Sequence, residues 1–356
     1  MTSMLKKMNK NTKSNLITYG IVIAAFIIMQ TLISTGSISS LLEGLMVPLC
    51  YYVILAVSLN LVVGILGELS LGHAGFMCVG AFSSAFFSKC MRDVITVEPL
   101  RFLLALLIGV LVAAVFGILI GIPVLRLKGD YLAIVTLAFG EIIKNLVNVL
   151  YIGKDSNGFH FSTKDVMALN MEADGTVIVN GPQGITGTPK DATFFIGFIL
   201  ILITLFIVTN LINSRDGRAI MSIRDNRIAA ESVGINITKY KLMAFTISAA
   251  LAGAAGVLYA HNLSTLTANT NNFGYNQSIM ILVFVVLGGI GSIRGSIIAA
   301  VVLTLLPEML RGLSDYRMLI YAIVLIVMML FNWAPKAIEW REKYFKFGRK
   351  KKEAVK

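Results

Sequence analysis

Long apolar stretches alternate with short polar ones along almost the whole chain. A helix needs about 20 apolar residues to cross the hydrocarbon core of a bilayer, and ten windows come near or exceed that length. The pattern therefore predicts an all-α, polytopic membrane protein with about ten transmembrane helices. The windows are 16–35, 41–66, 70–88, 102–125, 131–152, 192–213, 241–261, 276–290, 293–311 and 317–334, the eighth and ninth being joined by LGGIGSIRGS without a polar loop.

Composition supports a membrane environment. The 356 residues are 56% hydrophobic and 14% charged, with a mean hydropathy of +0.81, whereas a soluble domain carries roughly 25% charged residues. Most lysines and arginines fall in segments that helix alternation places on the same side as the N-terminus. The positive-inside rule then puts both ends in the cytoplasm. We therefore expect the net charge of +12 to attract anionic membrane lipid, and no nucleic acid.

The chain divides into three predicted regions. Basic cytoplasmic tails occupy 1–15 and 335–356, and a transmembrane domain occupies 16–334. The basic start resembles the beginning of a signal peptide. However, the first apolar run is long enough to span and ends without a small-residue cleavage pattern, so we expect a retained helix.

Two polar segments interrupt the transmembrane domain. The extracytoplasmic loop 153–191 contains Gly, Asn and Pro together with TVIV, which predicts a small structured excursion. The cytoplasmic segment 214–240 carries an apolar stripe through charged sequence, which predicts an amphipathic helix along the membrane face. Gly234 is placed to end that helix as a C-cap. The stripe consists of Ile220, Ile223, Ile228 and Val233.

No enzymatic site is apparent. The sequence contains no GxxxxGK[ST] phosphate loop, no GxSxG elbow and no HExxH motif. Its three histidines lack a carboxylate cluster, and Cys50, Cys78 and Cys90 are far apart, so neither a metal site nor a disulfide framework is indicated. We expect a chain that is not an enzyme and binds no cofactor or metal.

Few ionisable residues fall inside the predicted spans. Intramembrane charge is costly and usually marks function or pairing. Glu141 and Lys144 are three residues apart on one predicted helix, so we expect them to pair with each other. The scarcity of deep acidic residues argues against ion coupling. The others are Glu43 and Glu308, with Glu68 and Asp130 near span boundaries.

Glycines concentrate in GELSLGHAGF, residues 67–76. Glycine in a membrane helix permits close packing, or breaks the helix where backbone groups line a polar cavity. Tight packing explains some of these glycines, but the accompanying polar groups favour an interrupted segment beside a translocation pathway. A turn at the inner face remains the alternative. The candidate pathway residues are Gly67, Glu68, Ser70, Gly72, His73 and Gly75.

Several stretches together resemble the M-type permease subunit of branched-chain amino acid ABC importers, over roughly 16–334. This resemblance implies the ABC importer permease fold, with 16–334 as the permease domain. The stretches are GELSLGHAGFMCVGAF at 67–82, VLRLKGDYLAIVTLAFGEIIK at 124–144, GPQGITGTP at 181–189, the segment 214–260, VVLGGIGSIRGSIIAA at 285–300 and LLPEMLR at 305–311.

The resemblance also implies a division of labour. Such permeases pair with a second, related permease, use two cytoplasmic ATPase subunits that consume the ATP, and receive substrate from an extracytoplasmic binding protein. They reside in the cytoplasmic membrane of bacterial-type cells. The family's coupling motif E-A-A-x-x-x-G is matched by Ala229, Ala230 and Gly234, whereas Ile228 stands at the glutamate position. Glu231 follows it and is expected to supply a similar polar group.

Substrate and energy source are less constrained. The resemblance implies leucine, isoleucine and valine, while related permeases serve urea and short amides. An ion-coupled secondary transporter with internal repeats, or a channel, would be the rival interpretation, and each would function without ATPase partners.

Overall fold

The computed structural model describes residues 10–36, 39–92, 94–127, 129–172, 175–310 and 316–333. The C-terminal basic tail and most of the N-terminal one lie outside the described residues. The chain up to Val301 forms one compact unit. A second unit begins at Val302, inside the helix Ile293–Met309.

Helices form wherever the apolar windows predict them. The bounds are α1 Lys10–Ser34, α2 Ser40–Asn60 continued by a π-helix over Leu61–Leu66, α3 His73–Cys90, α4 Glu98–Val124, α5 Asp130–Val149, α6 Phe194–Asn213, α7 Arg215–Asp225, α8 Arg227–Ser232, α9 Ile237–Ala260, α10 Thr270–Phe273, α11 Tyr275–Gly288, α12 Ile293–Met309 and α13 Arg317–Trp333.

The predicted count of about ten membrane crossings is not confirmed. Among the described residues, six helices are long and apolar enough to span: α1, α2 with its π-helical extension, α4, α5, α6 and α9. The segments α11, α12 and α13 have 14, 17 and 17 residues, and α3 contains several glycines and serines. The mostly helical membrane architecture is confirmed, but the count of about ten spans is not.

The core lies where α3 and α9 cross. Small residues let the two backbones approach closely, as membrane helices require when packing replaces the hydrophobic effect. A Cβ on Gly80 would lie 2.4 Å from the carbonyl oxygen of Gly253, and one on Gly256 would lie 2.1 Å from the carbonyl oxygen of Met77. Helix α4 packs on the same pair through Gly109, where an added Cβ would lie 2.4 Å from Cγ2 of Val257.

A small sheet follows α5 directly. Strands β1 Tyr151–Asp155, β2 Gly158–Ser162 and β3 Thr176–Asn180 pair antiparallel in the order β2-β1-β3. A second pair joins β4 Ile185–Thr186 to β5 Thr265–Leu266, which follows α9. Since α5 and α9 both run toward these strands and away from α7 and α8, the sheet end and the α7 end are opposite ends of the helical bundle.

Asp155 ends β1 and organises the turn into β2. Its carboxylate accepts hydrogen bonds from the backbone N–H groups of Asn157 (2.9 Å), Gly158 (3.1 Å) and Glu172 (3.3 Å) and lies 2.9 Å from Nε2 of His160. Burial alone would raise the pKa of Asp155, but these contacts outweigh it and hold the pKa below its ordinary value.

The sheet should therefore lose stability in acid. A carboxylate with a lowered pKa contributes stability above its ordinary value near 3.9, and that contribution disappears as the pH falls through the lowered pKa. We expect Asp155→Asn to accelerate hydrogen exchange in 151–162 at neutral pH and to remove the acid-dependent part of it. Exposed Asp165, outside the strands, supplies the control variant Asp165→Asn. Equal exchange in both variants would contradict the role of Asp155.

Candidate functional site

The chain between α2 and α3 is interrupted rather than helical. The π-helix Leu61–Leu66 ends at Gly67, which has a φ of 79°, a left-handed conformation that glycine adopts without a Cβ penalty. Residues 67–72 have no regular secondary structure, and α3 begins at His73. The predicted interruption in GELSLGHAGF is present at these positions.

The same segment is also tightly packed. Ser70, Gly72, His73 and Gly75 are buried, whereas Gly67 is exposed. A Cβ on Gly72 would lie 2.3 Å from the carbonyl oxygen of Thr136 in α5, and one on Gly75 would lie 2.8 Å from Cα of Gly140. Interruption and close packing, which the sequence presented as alternatives, therefore occur together.

Side chains of other helices accept hydrogen bonds from backbone N–H groups just before α3 and in its first turn. The N–H of Leu71 donates to Oγ1 of Thr136 (3.0 Å), and the N–H of Ala74 donates to Oγ of Ser278 in α11 (3.1 Å). His73 lies 2.7 Å from Oγ of Ser58. Ser58 precedes Leu66 by eight residues, about two helical turns. The interrupted segment thus rises from the α7 end of the bundle to the level of Ser58.

A second interruption enters from the sheet end. Residues 267–274 lead from β5 into α11 and include only the one-turn α10. The N–H of Tyr275, the first residue of α11, donates to Oε1 of Glu141 (2.8 Å). Glu141 lies near the middle of the 20-residue α5. The segment 267–274 therefore reaches about halfway along the bundle, where the first turns of α3 and α11 meet at the Ala74–Ser278 hydrogen bond.

The predicted pairing of Glu141 with Lys144 is confirmed. Nζ of Lys144 lies 2.5 Å from Oε2 of Glu141 and also donates to Oγ1 of Thr270 (3.1 Å). The pair does more than neutralise itself, because Glu141 holds the start of α11 and Lys144 holds the start of α10. Sequence spacing along one helix revealed the pair but not these two partners.

Glu68 acquires a partner that the sequence did not reveal. Its carboxylate is ion-paired with Lys241 in the first turns of α9, and Lys241 is buried. Glu68 remains half-buried at the α7 end of the interrupted segment. Lys241 lies at the boundary of a predicted span, a position typical of a charge at the membrane interface. Nothing in the sequence therefore marked it as the partner of Glu68.

The predicted amphipathic segment forms two helices. Asn226 separates α7 from α8 and accepts a hydrogen bond from the N–H of Ala229 (3.1 Å) as an N-cap. Gly234, with a φ of 85°, ends α8, and the N–H of Ile235 donates to the carbonyl of Ala230 (3.1 Å), as in a Schellman motif. The predicted C-cap is confirmed. Among the motif residues, Ala230 is buried while Ala229, Glu231 and Gly234 are exposed.

The single apolar stripe predicted for this segment is wrong in its second half. Ile220 and Ile223 of α7 are buried, but Ile228 is 81% exposed and Val233 is 75% exposed. The extended backbone at Asn226, with a φ of −156°, changes the helical phase between the two halves. The end of the segment that carries the A-A-x-x-x-G residues consequently presents apolar side chains outward.

Arg224 connects the two predicted sites. Its Nη1 donates to the carbonyl oxygen of Gly64 in the π-helix (3.0 Å). A Cβ on Gly67 would lie 2.5 Å from Cγ of Arg224, so the stem of the arginine packs on the start of the interrupted segment. The helix preceding the A-A-x-x-x-G residues is thus in direct contact with the interruption between α2 and α3.

Backbone shape and a few polar contacts define this site. Among the described residues, no group of three or more His, Cys, Asp or Glu side chains is placed to hold a metal ion. Cys50, Cys78 and Cys90 are buried, free thiols.

Comparison with known proteins identifies similar chains over most of this length. The family profile described as "Branched-chain amino acid transport system / permease component" matches residues 41–331. The high-affinity branched-chain amino acid transport system permease protein LivM of Salmonella typhimurium is 36% identical over 81% of this chain and 67% of the relative. LivM of Escherichia coli gives the same values.

More distant similarity extends to permeases with other substrates in their names. The fructose import permease protein FruG of Bifidobacterium longum is 23% identical over 89% of this chain and 90% of its own length. No solved structure matches.

Proposed function

Because the chain belongs to the family of permease components of branched-chain amino acid transport systems, we propose that it carries leucine, isoleucine and valine across the membrane. The chain is a multi-pass ABC transport permease and not an enzyme, in keeping with its family.

The partners that we propose are those with which ABC permeases work. ABC permeases of this family work with ATPase and binding-protein subunits. We place two ATPases at the α7 end, which is then cytoplasmic, and a substrate-binding protein at the sheet end. A second, related permease completes a heterodimer. The bacterial relatives and the positive-inside distribution of charge support the cytoplasmic membrane as its location.

The meeting of two interrupted segments carries the proposal. Non-helical backbone at membrane depth persists only against protein or beside a water-filled path, and transporters place substrate sites at such broken helices. Here 67–72 enters from the α7 end and 267–274 enters from the sheet end. The pathway residues Gly67, Glu68 and Ser70, with the tight turn at Gly72, His73 and Gly75, would form the inner gate.

Coupling to the ATPases would pass through α8 and α7. The exposed surface around Ala229, Glu231 and Gly234 would contact an ATPase subunit. Movement of α8 would reach α7 through their shared apolar contact between Ile223 and Ala230. Arg224 would then transmit it to the π-helix and the interrupted segment.

Reconstitution tests this function directly. The chain is incorporated into liposomes with its second permease, ATPases and binding protein, and uptake of radiolabelled leucine is measured. We expect uptake that requires ATP and every partner and persists with ionophores. Uptake by the chain alone, driven by an ion gradient, would instead indicate a secondary transporter, and downhill flux without ATP would indicate a channel. Competition by valine, urea, a short amide and fructose then defines the substrate.

A further inference from the structure

Beyond the inner gate, the structure contains a polar surface on the sheet-end half of α5 and the facing segment 267–276. We infer that this surface is a contact site for a zwitterionic amino acid with an apolar side chain, an inference that rests on the proposed function. It would lie in the outward part of the pathway. We call it the α5 polar surface and define it by Glu141, Lys144, Asn145, Asn271 and Asn276.

Amide side chains on this surface are exposed at a depth where lipid is unfavourable to them. Asn271 flanks the start of α11, which Glu141 fixes near the middle of α5. Asn271 and Asn276 are both exposed and share a hydrogen bond of 3.3 Å. Amide groups at this level require water or a polar ligand, because hydrocarbon cannot satisfy them.

Helix α5 also has the residue pattern of a helix beside a polar path. Of the six helices long and apolar enough to span, α5 is the most amphipathic, which a helix surrounded by lipid has no need to be. Glu141, Asn145 and Asn148 follow one another at spacings of four and three, so they form one stripe. Asn145 is exposed, and its side chain has no hydrogen-bond partner among the described residues.

The chemical groups of this surface complement those of an amino acid. An amino acid presents an ammonium, a carboxylate and, for this substrate class, a branched apolar group. The Glu141 carboxylate, one quarter exposed, matches the ammonium. The Lys144 ammonium, which is buried in its pair with Glu141, matches the carboxylate once that pair opens. Ile142 and Leu146 directly follow Glu141 and Asn145 on the same helix, are exposed, and match the apolar group. Binding would exchange the internal ion pair for two ion pairs with the substrate.

Cysteine accessibility in the assembled importer tests the inference. Cys50, Cys78 and Cys90 are replaced with alanine, and Asn145→Cys or Asn276→Cys is introduced. The importer in proteoliposomes is treated from the binding-protein side with a charged thiosulfonate reagent. Leu111→Cys is the matched control, because Leu111 is exposed on α4 among apolar residues and should face lipid. The reagent needs a thiolate, and a cysteine that faces lipid does not ionise readily. We therefore expect Leu111→Cys to react at least about tenfold more slowly than a cysteine at either asparagine position.

Saturating leucine should slow the reaction at both asparagine positions, while urea and fructose should not. Modification as slow as at Leu111→Cys, or modification unaffected by leucine, would show that another protein surface or lipid covers this face and would overturn the inference. ATP-driven leucine uptake by the cysteine-free parent is measured in the same vesicles. Normal uptake without protection rejects the α5 polar surface alone, whereas absent uptake rejects the proposed function and the inference with it.

Discussion

Gly256→Leu is expected to abolish the folded core, because it inserts a side chain between two backbones in contact. The Cβ alone would lie 2.1 Å from the carbonyl oxygen of Met77 and 2.9 Å from the amide nitrogen of Ala81. Backbone atoms of α3 cannot rotate away as a side chain could, so α3 and α9 would have to separate. Even well-tolerated overpacking costs about 1–3 kcal/mol, and a backbone clash should exceed about 4 kcal/mol.

Size-exclusion chromatography in detergent measures the result. We expect Gly256→Leu to yield almost no monodisperse protein, and any that remains to melt at a much lower temperature. Gly44→Leu is the matched control, since a Cβ at Gly44 meets nothing within 4 Å, and this variant should behave like the parent. A stable, monodisperse Gly256→Leu protein would refute the close crossing of α3 and α9.

The helices were predictable because each is encoded by its own stretch of sequence. The apolar windows at 102–125 and 192–213 correspond to α4 and α6 with differences of at most four residues at either end. The interruption at 67–72 was equally local, since its glycines weaken a helix wherever it packs. The cap at Gly234 needed only a glycine after an amphipathic stretch.

Contacts between distant segments were not predictable from one sequence. The N–H of Ala74 bonds to Ser278, and Lys241 pairs with Glu68. No periodicity encodes such pairings, because each depends on how the helices are arranged. The π-helix Leu61–Leu66 is also invisible in sequence, since LVVGIL is simply apolar.

The local apolar pattern gave a wrong prediction at the bend between α7 and α8. Ile228 stands eight residues after Ile220, a spacing that would place both on one face of an unbroken helix. The N-cap at Asn226 ends that continuity, so Ile228 faces outward. Asn is a favoured N-cap residue, and this signal could have located the break had the charged sequence not been interpreted as one helix.

Arg224→Ala should uncouple ATP hydrolysis from transport while leaving the importer assembled. The variant removes the hydrogen bond to the carbonyl of Gly64 and the stem that covers Gly67. Arg224 is partly solvent-exposed, so its loss should cost little stability. Coupling between sites is typically worth about 1–3 kcal/mol. We therefore expect leucine uptake per ATP hydrolysed to fall about tenfold, with hydrolysis itself maintained.

Arg215→Ala is the control variant. Arg215 is an exposed arginine at the other end of α7, so this substitution removes the same charge. Uptake and phosphate release are measured on the same proteoliposomes for both variants. Arg224→Lys retains a donor of suitable length and should recover part of the lost coupling, which a purely structural role would not predict. Unchanged uptake per ATP hydrolysed in Arg224→Ala would show that Arg224 does not couple α7 to the inner gate. Equal loss in both variants would assign the effect to surface charge.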